Sequence, residues 1–290
     1  MSRIGIIGGS GLYKMDAIKE TQELEVNTPF GKPSDKFIVG KFDDKELVFL
    51  PRHGVGHRIS PSEINYRANI YAMKKLGVER IISVTACGSL KDELKPLDFV
   101  VVDQYVDRTN QARKMTFFED GIVGHISFSH PVCPELSGLL YDAGYEAGKS
   151  LRIKMHKGGT YINMEGPAFS TLAESNLYRQ WGMDIIGMTN MPEAKLAREA
   201  EICYATLACV TDYDCWHPDF EKITIEMVIN NLHKNIENAK KILHTLLERL
   251  PARRTCPCKD ALKNAVITDR KMIPEKVKKD LDIILGKHIK

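Results

Sequence analysis

The stretch Ala205-Thr206-Leu207-Ala208-Cys209-Val210-Thr211-Asp212-Tyr213-Asp214-Cys215-Trp216 is largely apolar through Val210 and then reaches two carboxylates. A short run of this kind, closed by polar residues, predicts a buried strand over residues 205–210. Asp212 and Asp214 stand two positions apart, and along extended chain alternate side chains point to the same side. Carboxylates so placed can hold one proton between like charges, which raises one pKa towards neutrality and makes a general acid. The same residues also suit an Asp-rich turn or a carboxylate pair for a divalent cation, and the segment alone leaves these readings open.

Outward from this strand, β-branched and apolar runs recur at 4–7, 37–39, 47–50, 80–84, 99–102, 159–164 and 184–188, each bounded by Gly, Pro or small polar residues. Helical patterns separate several of them. Ser60-Pro61-Ser62-Glu63 matches a capping box with proline at the first helical position, and it predicts a helix running to about Leu76. Residues 135–149 and 193–203 predict two more. The clearest helix is 224–250, where Ile225, Val228, Ile229, Leu232, Ile236, Ala239, Leu243, Leu246, Leu247 and Leu250 recur at three- and four-residue steps until Pro251. Strands alternating with helices predict one α/β domain over 1–290, with 251–290 a C-terminal extension that holds a short helix at 274–285.

Composition narrows the function. The chain has 290 residues, 43% of them apolar, enough for a sizeable core. Charged residues make up 27% with a net charge of +3, too balanced for the footprint of a nucleic-acid binder. The apolar run at 4–7 is short for a signal peptide, and no run reaches the roughly 18 residues of a membrane span. The expectation is a cytoplasmic protein with neither a nucleic-acid nor a membrane partner. Arg253-Arg254 and residues 287–290 read as solvated tail. Seven cysteines in such a protein would ordinarily be reduced thiols. Cys256-Pro257-Cys258 has the wrong spacing for the usual zinc knuckle, and no nearby His supplies the other half of a site. It reads either as two chance surface thiols or as part of a disulfide or redox pair, with Cys133, Cys203, Cys209 and Cys215 as partners.

In α/β sheets ligands collect beyond the carboxyl ends of the strands. The residues just past each run are therefore informative. Gly8-Gly9-Ser10-Gly11 could present backbone N–H groups and a hydroxyl to an anion, or form a plain tight turn. Its spacing is not that of a dinucleotide fingerprint, and no Walker-type Gly-Lys-Ser is present. Arg52-His53 adds a donor fork and a second donor able to carry charge, while Thr85 and Thr189 add hydroxyls. Such a donor set suits inorganic phosphate.

Together with Thr28-Pro29-Phe30-Gly31-Lys32-Pro33-Ser34-Asp35, Thr85-Ala86-Cys87-Gly88-Ser89-Leu90 and Glu165-Gly166-Pro167, these segments resemble the trimeric-type purine nucleoside phosphorylases, and within them the branch acting on 5′-methylthioadenosine. The matching segments run from near residue 3 to about 250. The resemblance implies a twisted central mixed β-sheet flanked by helices. It implies phosphorolysis of methylthioadenosine to adenine and 5-methylthioribose 1-phosphate, with phosphate as co-substrate and no metal or organic cofactor. It assigns phosphate contacts to Ser10, Arg52, His53, Thr85, Ala86 and Thr189, ribose packing to Met188, and purine contacts to Phe169, Ser170, Asp212 and Asp214. Asp212 would be the catalytic acid. His125 would close the 5′ end of a neighbouring subunit's pocket, in a homotrimer or a hexamer of paired trimers. Ser10 stands where other members carry Thr, which keeps the hydroxyl.

Overall fold

The computed structural model describes residues 3–9, 11–12, 15, 17–110, 113–218 and 225–289, and within them eleven strands join in one sheet. They are β1 (Arg3–Gly8), β2 (Lys19–Leu24), β3 (Phe37–Phe42), β4 (Lys45–Pro51), β5 (Arg80–Ser89), β6 (Phe99–Val101), β7 (Gln104–Arg108), β8 (Met155–Lys157), β9 (Thr160–Met164), β10 (Ile185–Gly187) and β11 (Cys203–Asp212). The helices are α1 (Tyr66–Lys75), α2 (Pro134–Leu151), α3 (Leu172–Gln180), α4 (Asn190–Glu199), α5 (Ile225–Arg249), α6 (Glu275–Asp280) and α7 (Asp282–Leu285). Strand order is β2-β3-β4-β1-β5-β10-β9-β7, with β11 on β5, β6 on β11 and β8 on β6. The sheet is mixed. β5 is its hub: β1 and β11 flank it in parallel, while its last residues pair antiparallel with β10.

Alternation within the strands sends side chains into two cores. Ile4, Ile6, Leu47 and Phe49 join α2 and α5 on one face, while Ile7, Val48 and Leu50 join α1 and α4 on the other. The expected strands are all present. Three more, β2, β7 and β8, lacked an apolar signal; β2 reads KETQEL and lies exposed at the sheet edge, where charge blocks further pairing.

The helices differ more from expectation. Ser60 and Glu63 form only half of a capping box: the Ser60 N–H donates to Glu63 Oε2, but the hydroxyl donates to the same oxygen and the Glu63 N–H goes to the Ser60 carbonyl instead. They close only a turn. The helix starts at Tyr66 behind Asn65, whose side chain accepts from the Ala68 N–H at 3.1 Å. α4 begins three residues before its expected start at 193, and 274–285 splits into α6 and α7. On α5 the apolar stripe is buried only in its second half, at Ala239, Ile242, Leu243, Leu246 and Leu247, with Leu250 buried just past its end, while Met227, Ile229 and Leu232 are exposed. Thr224 and the side chains of Ile225 and Val228 lie outside the described residues.

The C-terminal extension is not a solvated tail. Leu262, Ile273, Leu281, Ile284 and Leu285 enter the α1/α4 core. Arg254 donates to the Glu201 carbonyl at 2.7 Å, and Lys287 and His288 close on the buried Glu201 carboxylate at 2.6 and 3.0 Å. The expected disulfide is absent as well, since all seven cysteines are free thiols. The sulfurs of Cys203 and Cys256 come to 3.2 Å, well beyond the roughly 2.05 Å of a bond, because four sulfurs converge there and none is committed to a single partner. Among the described residues no helix is long and apolar enough to cross a membrane.

Candidate active site

Four strand ends frame the site. At the ends of β1 and β4, Gly8 and Pro51 are in register and the Arg52 N–H donates to Gly8 O at 3.0 Å. The Arg52 side chain then dives beneath the strands and is 2% exposed. Its Nε and Nη2 grip both oxygens of Glu193 on α4 at 2.8 and 3.0 Å. Nη2 also donates to Ser83 Oγ at 2.6 Å, and Nη1 to Val84 O at 3.3 Å. Burial works against the guanidinium charge, but the Glu193 carboxylate and its bonds more than offset it, so the pKa lies above the usual arginine value. Glu193, itself wholly buried, accepts further from Ser83 Oγ and Tyr204 OH. Arg52 is thus half of a sealed ion pair rather than a cation open to solvent.

His53 also differs from the expected charge-bearing donor. Burial, aided by neighbouring Arg52 and His57 and opposed by a backbone bond to Ile59, lowers its pKa to about 4. Nδ1 sits 2.8 Å from Ile59 O, and a bond to a carbonyl requires the proton on that nitrogen. The ring is therefore neutral near pH 7 with Nε2 as an acceptor, and it stacks on His57 at 4.2 Å. Thr85 on β5 and Thr189 at the start of α4 meet hydroxyl to hydroxyl at 3.3 Å. Ala86 next to them is exposed in a strand otherwise buried up to that point. Ser10 lies outside the described residues.

Further along β5, Gly88 pairs with Asp212 of β11 across a bulge that follows Val210. Gly88 makes room for the acids: a Cβ there would lie 3.2 Å from Asp212 Oδ1 and 3.4 Å from Asp214 Cβ. The strand ends at Asp212 and Asp214 belongs to the turn beyond, so strand alternation, from which a shared face was expected, does not extend to the second acid. Burial, with Asp214 adding to it, pushes Asp212 up to about 6 against a 2.6 Å bond from Thr211 Oγ1. Burial also raises Asp214, against bonds from Ser175 and Ser170. The turn is held by Trp216, whose Nε1 donates to Ser89 O at 2.7 Å under the Arg179 guanidinium.

Ser170 is half-buried beside this turn, its carbonyl accepting from Cys215 Sγ at 3.4 Å. Phe169 is 83% exposed. Met188 packs against Gly166, where a Cβ would meet its Sδ at 2.5 Å. The His125 backbone N–H donates to Ala265 O at 2.8 Å and its side chain is exposed; among the described residues no hydrogen bond joins that side chain to the groups above.

The sequence reading missed the supports. In the sequence Glu193 marks only the expected start of a helix, and nothing in one chain's order of residues pairs it with Arg52. Asn190 turns away from the site, its Nδ2 on Tyr204 OH at 2.7 Å and Thr206 Oγ1 at 2.8 Å. Arg113 donates to Glu165 Oε1 and Glu165 O, and to the carbonyls of Met188 and Met191, tying together the loops that carry Gly166 and Met188. No motif surrounds Arg113 in the sequence.

Comparison with known proteins places this geometry in context. The family model described as the phosphorylase superfamily matches residues 3–248. S-methyl-5′-thioadenosine phosphorylase of Geobacter sulfurreducens is 54% identical, with 99% of each chain covered. The crystal structure of a methylthioadenosine phosphorylase sourced from an antarctic soil metagenomic library superposes with a TM-score of 0.94 at 47% identity, covering 98% of this chain and 99% of that one. Methylthioadenosine phosphorylase from Schistosoma mansoni, in complex with adenine, gives 0.81 at 34% identity over 99% of both chains.

Proposed function

The chain belongs to the phosphorylase superfamily, and we propose that it cleaves 5′-methylthioadenosine with inorganic phosphate, giving adenine and 5-methylthioribose 1-phosphate. The carrying observation is the layout of β5. Thr85, paired with Thr189, and Gly88, paired with Asp212, stand three positions apart, roughly 10 Å along a strand, which spans a ribosyl group between an anion and a purine.

In this reading phosphate rests on Ser10, Thr85, Thr189, the Ala86 backbone and Arg52-His53. Because Glu193 already neutralises Arg52, the anion is held mainly by neutral donors over a fixed guanidinium. Neutral His53 offers Nε2 to a phosphate hydroxyl. Breaking the glycosidic bond leaves positive charge on the ribosyl group, which the adjacent phosphate stabilises and then captures at C1′. The bond's electron pair goes to the purine, and Asp212 gives a proton to N7 so that adenine leaves neutral. Asp212 and Asp214 accept from the exocyclic amine, Met188 packs on ribose, and Phe169 and Ser170 border the base. No metal or organic cofactor has a step to perform.

His125 would complete a neighbouring pocket in a homotrimer, or in a hexamer of paired trimers. Exposed Phe169, Leu172, Trp181, Met227 and Ile229 support self-association. Seven unpaired thiols suit the reducing cytoplasm. The test is adenine release from methylthioadenosine with and without phosphate. Release should need phosphate, and equal release in its absence would sink the proposal in favour of hydrolysis.

A further inference from the structure

At the opposite end of β11 from Asp212, four sulfurs meet. Cys203 opens β11, Cys133 caps the N-terminus of α2, and Cys256 and Cys258 flank Pro257 in the C-terminal extension. All four are buried, and their sulfurs all lie within 4.8 Å of one another. We propose that Cys133, Cys203, Cys256 and Cys258 form a tetrathiolate site for one zinc ion, which clips the C-terminal extension to the body of the fold.

Geometry carries the proposal. Zinc–thiolate bonds of about 2.3 Å in a tetrahedron set sulfurs about 3.8 Å apart. The 3.2 Å between Cys203 and Cys256 and the 4.8 Å outer limit bracket that spacing. A cluster of several irons would need its sulfurs further apart. Although Cys-Pro-Cys is too short for a knuckle, it supplies only half the ligands here. The other half comes from two elements already joined, since the Cys133 N–H donates to Tyr204 O at 2.8 Å. Cys256 is extended and Pro257 starts a 3-10 turn, a conformation that brings Cys256 and Cys258 into one cluster.

Two of the four sulfurs already have a donor aimed at them. Leu136 N–H donates to Cys133 Sγ at 3.5 Å in the first turn of α2, where the helix dipole favours negative charge. Arg254 Nη1 approaches Cys203 Sγ at 3.7 Å and brings a positive charge to a site whose four thiolates would outweigh a divalent ion. Donors aimed at the sulfurs are the outer contacts that fix metal ligands elsewhere. The loop is pinned independently, as Thr255 N donates to Glu135 Oε2 at 2.9 Å.

The test is elemental analysis of the full chain purified without chelator or oxidant. The expected result is one zinc per chain, released when a mercurial titrates the thiols. The Cys256→Ser/Cys258→Ser variant should lose the zinc and melt at lower temperature while still cleaving nucleoside at moderate temperature. Should that variant fail to fold, the wild-type chain stripped and reloaded with cobalt(II) should show intense thiolate-to-metal charge-transfer bands. Zinc far below stoichiometry after growth in zinc-supplemented medium, iron in its place, or a native mass short of the hydrogens lost to disulfides would each overturn the proposal.

Discussion

The two ends of the candidate site solve opposite electrostatic problems. Where phosphate is proposed to bind, every charge is committed: Arg52 is locked to buried Glu193, and His53 is held neutral. Where the purine is proposed to bind, charge is undecided, because burial and the neighbouring Asp214 bring Asp212 to about 6, and burial raises Asp214. One end is a fixed cradle and the other a proton store. The difference teaches that an anion arriving from water needs prearranged donors, whereas a leaving base needs a group able to change its charge during the reaction.

The comparison breaks first at Glu193. Glu193→Ala should leave the Arg52 charge buried without its partner and cost about 3–5 kcal/mol of folding stability, measured by denaturant unfolding. A cost within about 0.5 kcal/mol would mean the pair is not sealed as described. Arg52→Ala should be destabilising for the same reason, and in the surviving fold it should raise KM for phosphate more than KM for nucleoside. Equal rises would remove Arg52 from the anion cradle.

At the other end, Asp212→Asn replaces the acid and acceptor by an amide. Turnover of methylthioadenosine should fall by on the order of 10²-fold or more, while activity toward inosine rises relative to it. An unchanged ratio of amino to oxo substrate would mean that Asp212 does not read the base. Adenosine should be cleaved with a kcat/KM roughly 10²-fold below that of methylthioadenosine, since an apolar 5′ slot rejects a hydroxyl only modestly. Complete exclusion would require a polar gate in that slot.

The smallest effect lies outside both ends. Burial pushes Glu199 up to about 7 despite bonds from Phe117 N–H and Thr116 Oγ1. A carboxyl group with a raised folded pKa binds its proton more tightly when folded, so its stabilisation is lost as pH rises towards and through 7. Between about pH 6 and about pH 8 the wild type should lose about 1 kcal/mol relative to Glu199→Gln. Parallel stability curves for the two would contradict the shift.

Much of this was legible in sequence because buried strands are written locally. Apolar runs such as 47–50 and 205–210 needed no partner to be read, and the polar residues after them marked the strand ends. Edge strand β2 was invisible because its residues face solvent and its pairing is set by the backbone of β3. The capping signature at 60–63 misled because its bonds stabilise a turn as readily as a helix. In the site, Asp212 and Arg52 stood out by position, but Glu193 and Arg113 act through contacts across the fold that residue order does not encode. The cysteines show the same limit: Cys256 and Cys258 are two positions apart in sequence, yet their environment is made by Cys133 and Cys203.

The contrast between a fixed cradle and a proton store is tested most directly by the pH dependence of kcat/KM for methylthioadenosine in the wild type and in Asp212→Asn, at saturating phosphate. The wild type should lose activity on a basic limb with an apparent pKa near 6, as Asp212 gives up the proton it donates, and the variant should lack that limb. The same basic limb in both proteins would contradict the account, because the titrating group would then lie somewhere other than Asp212.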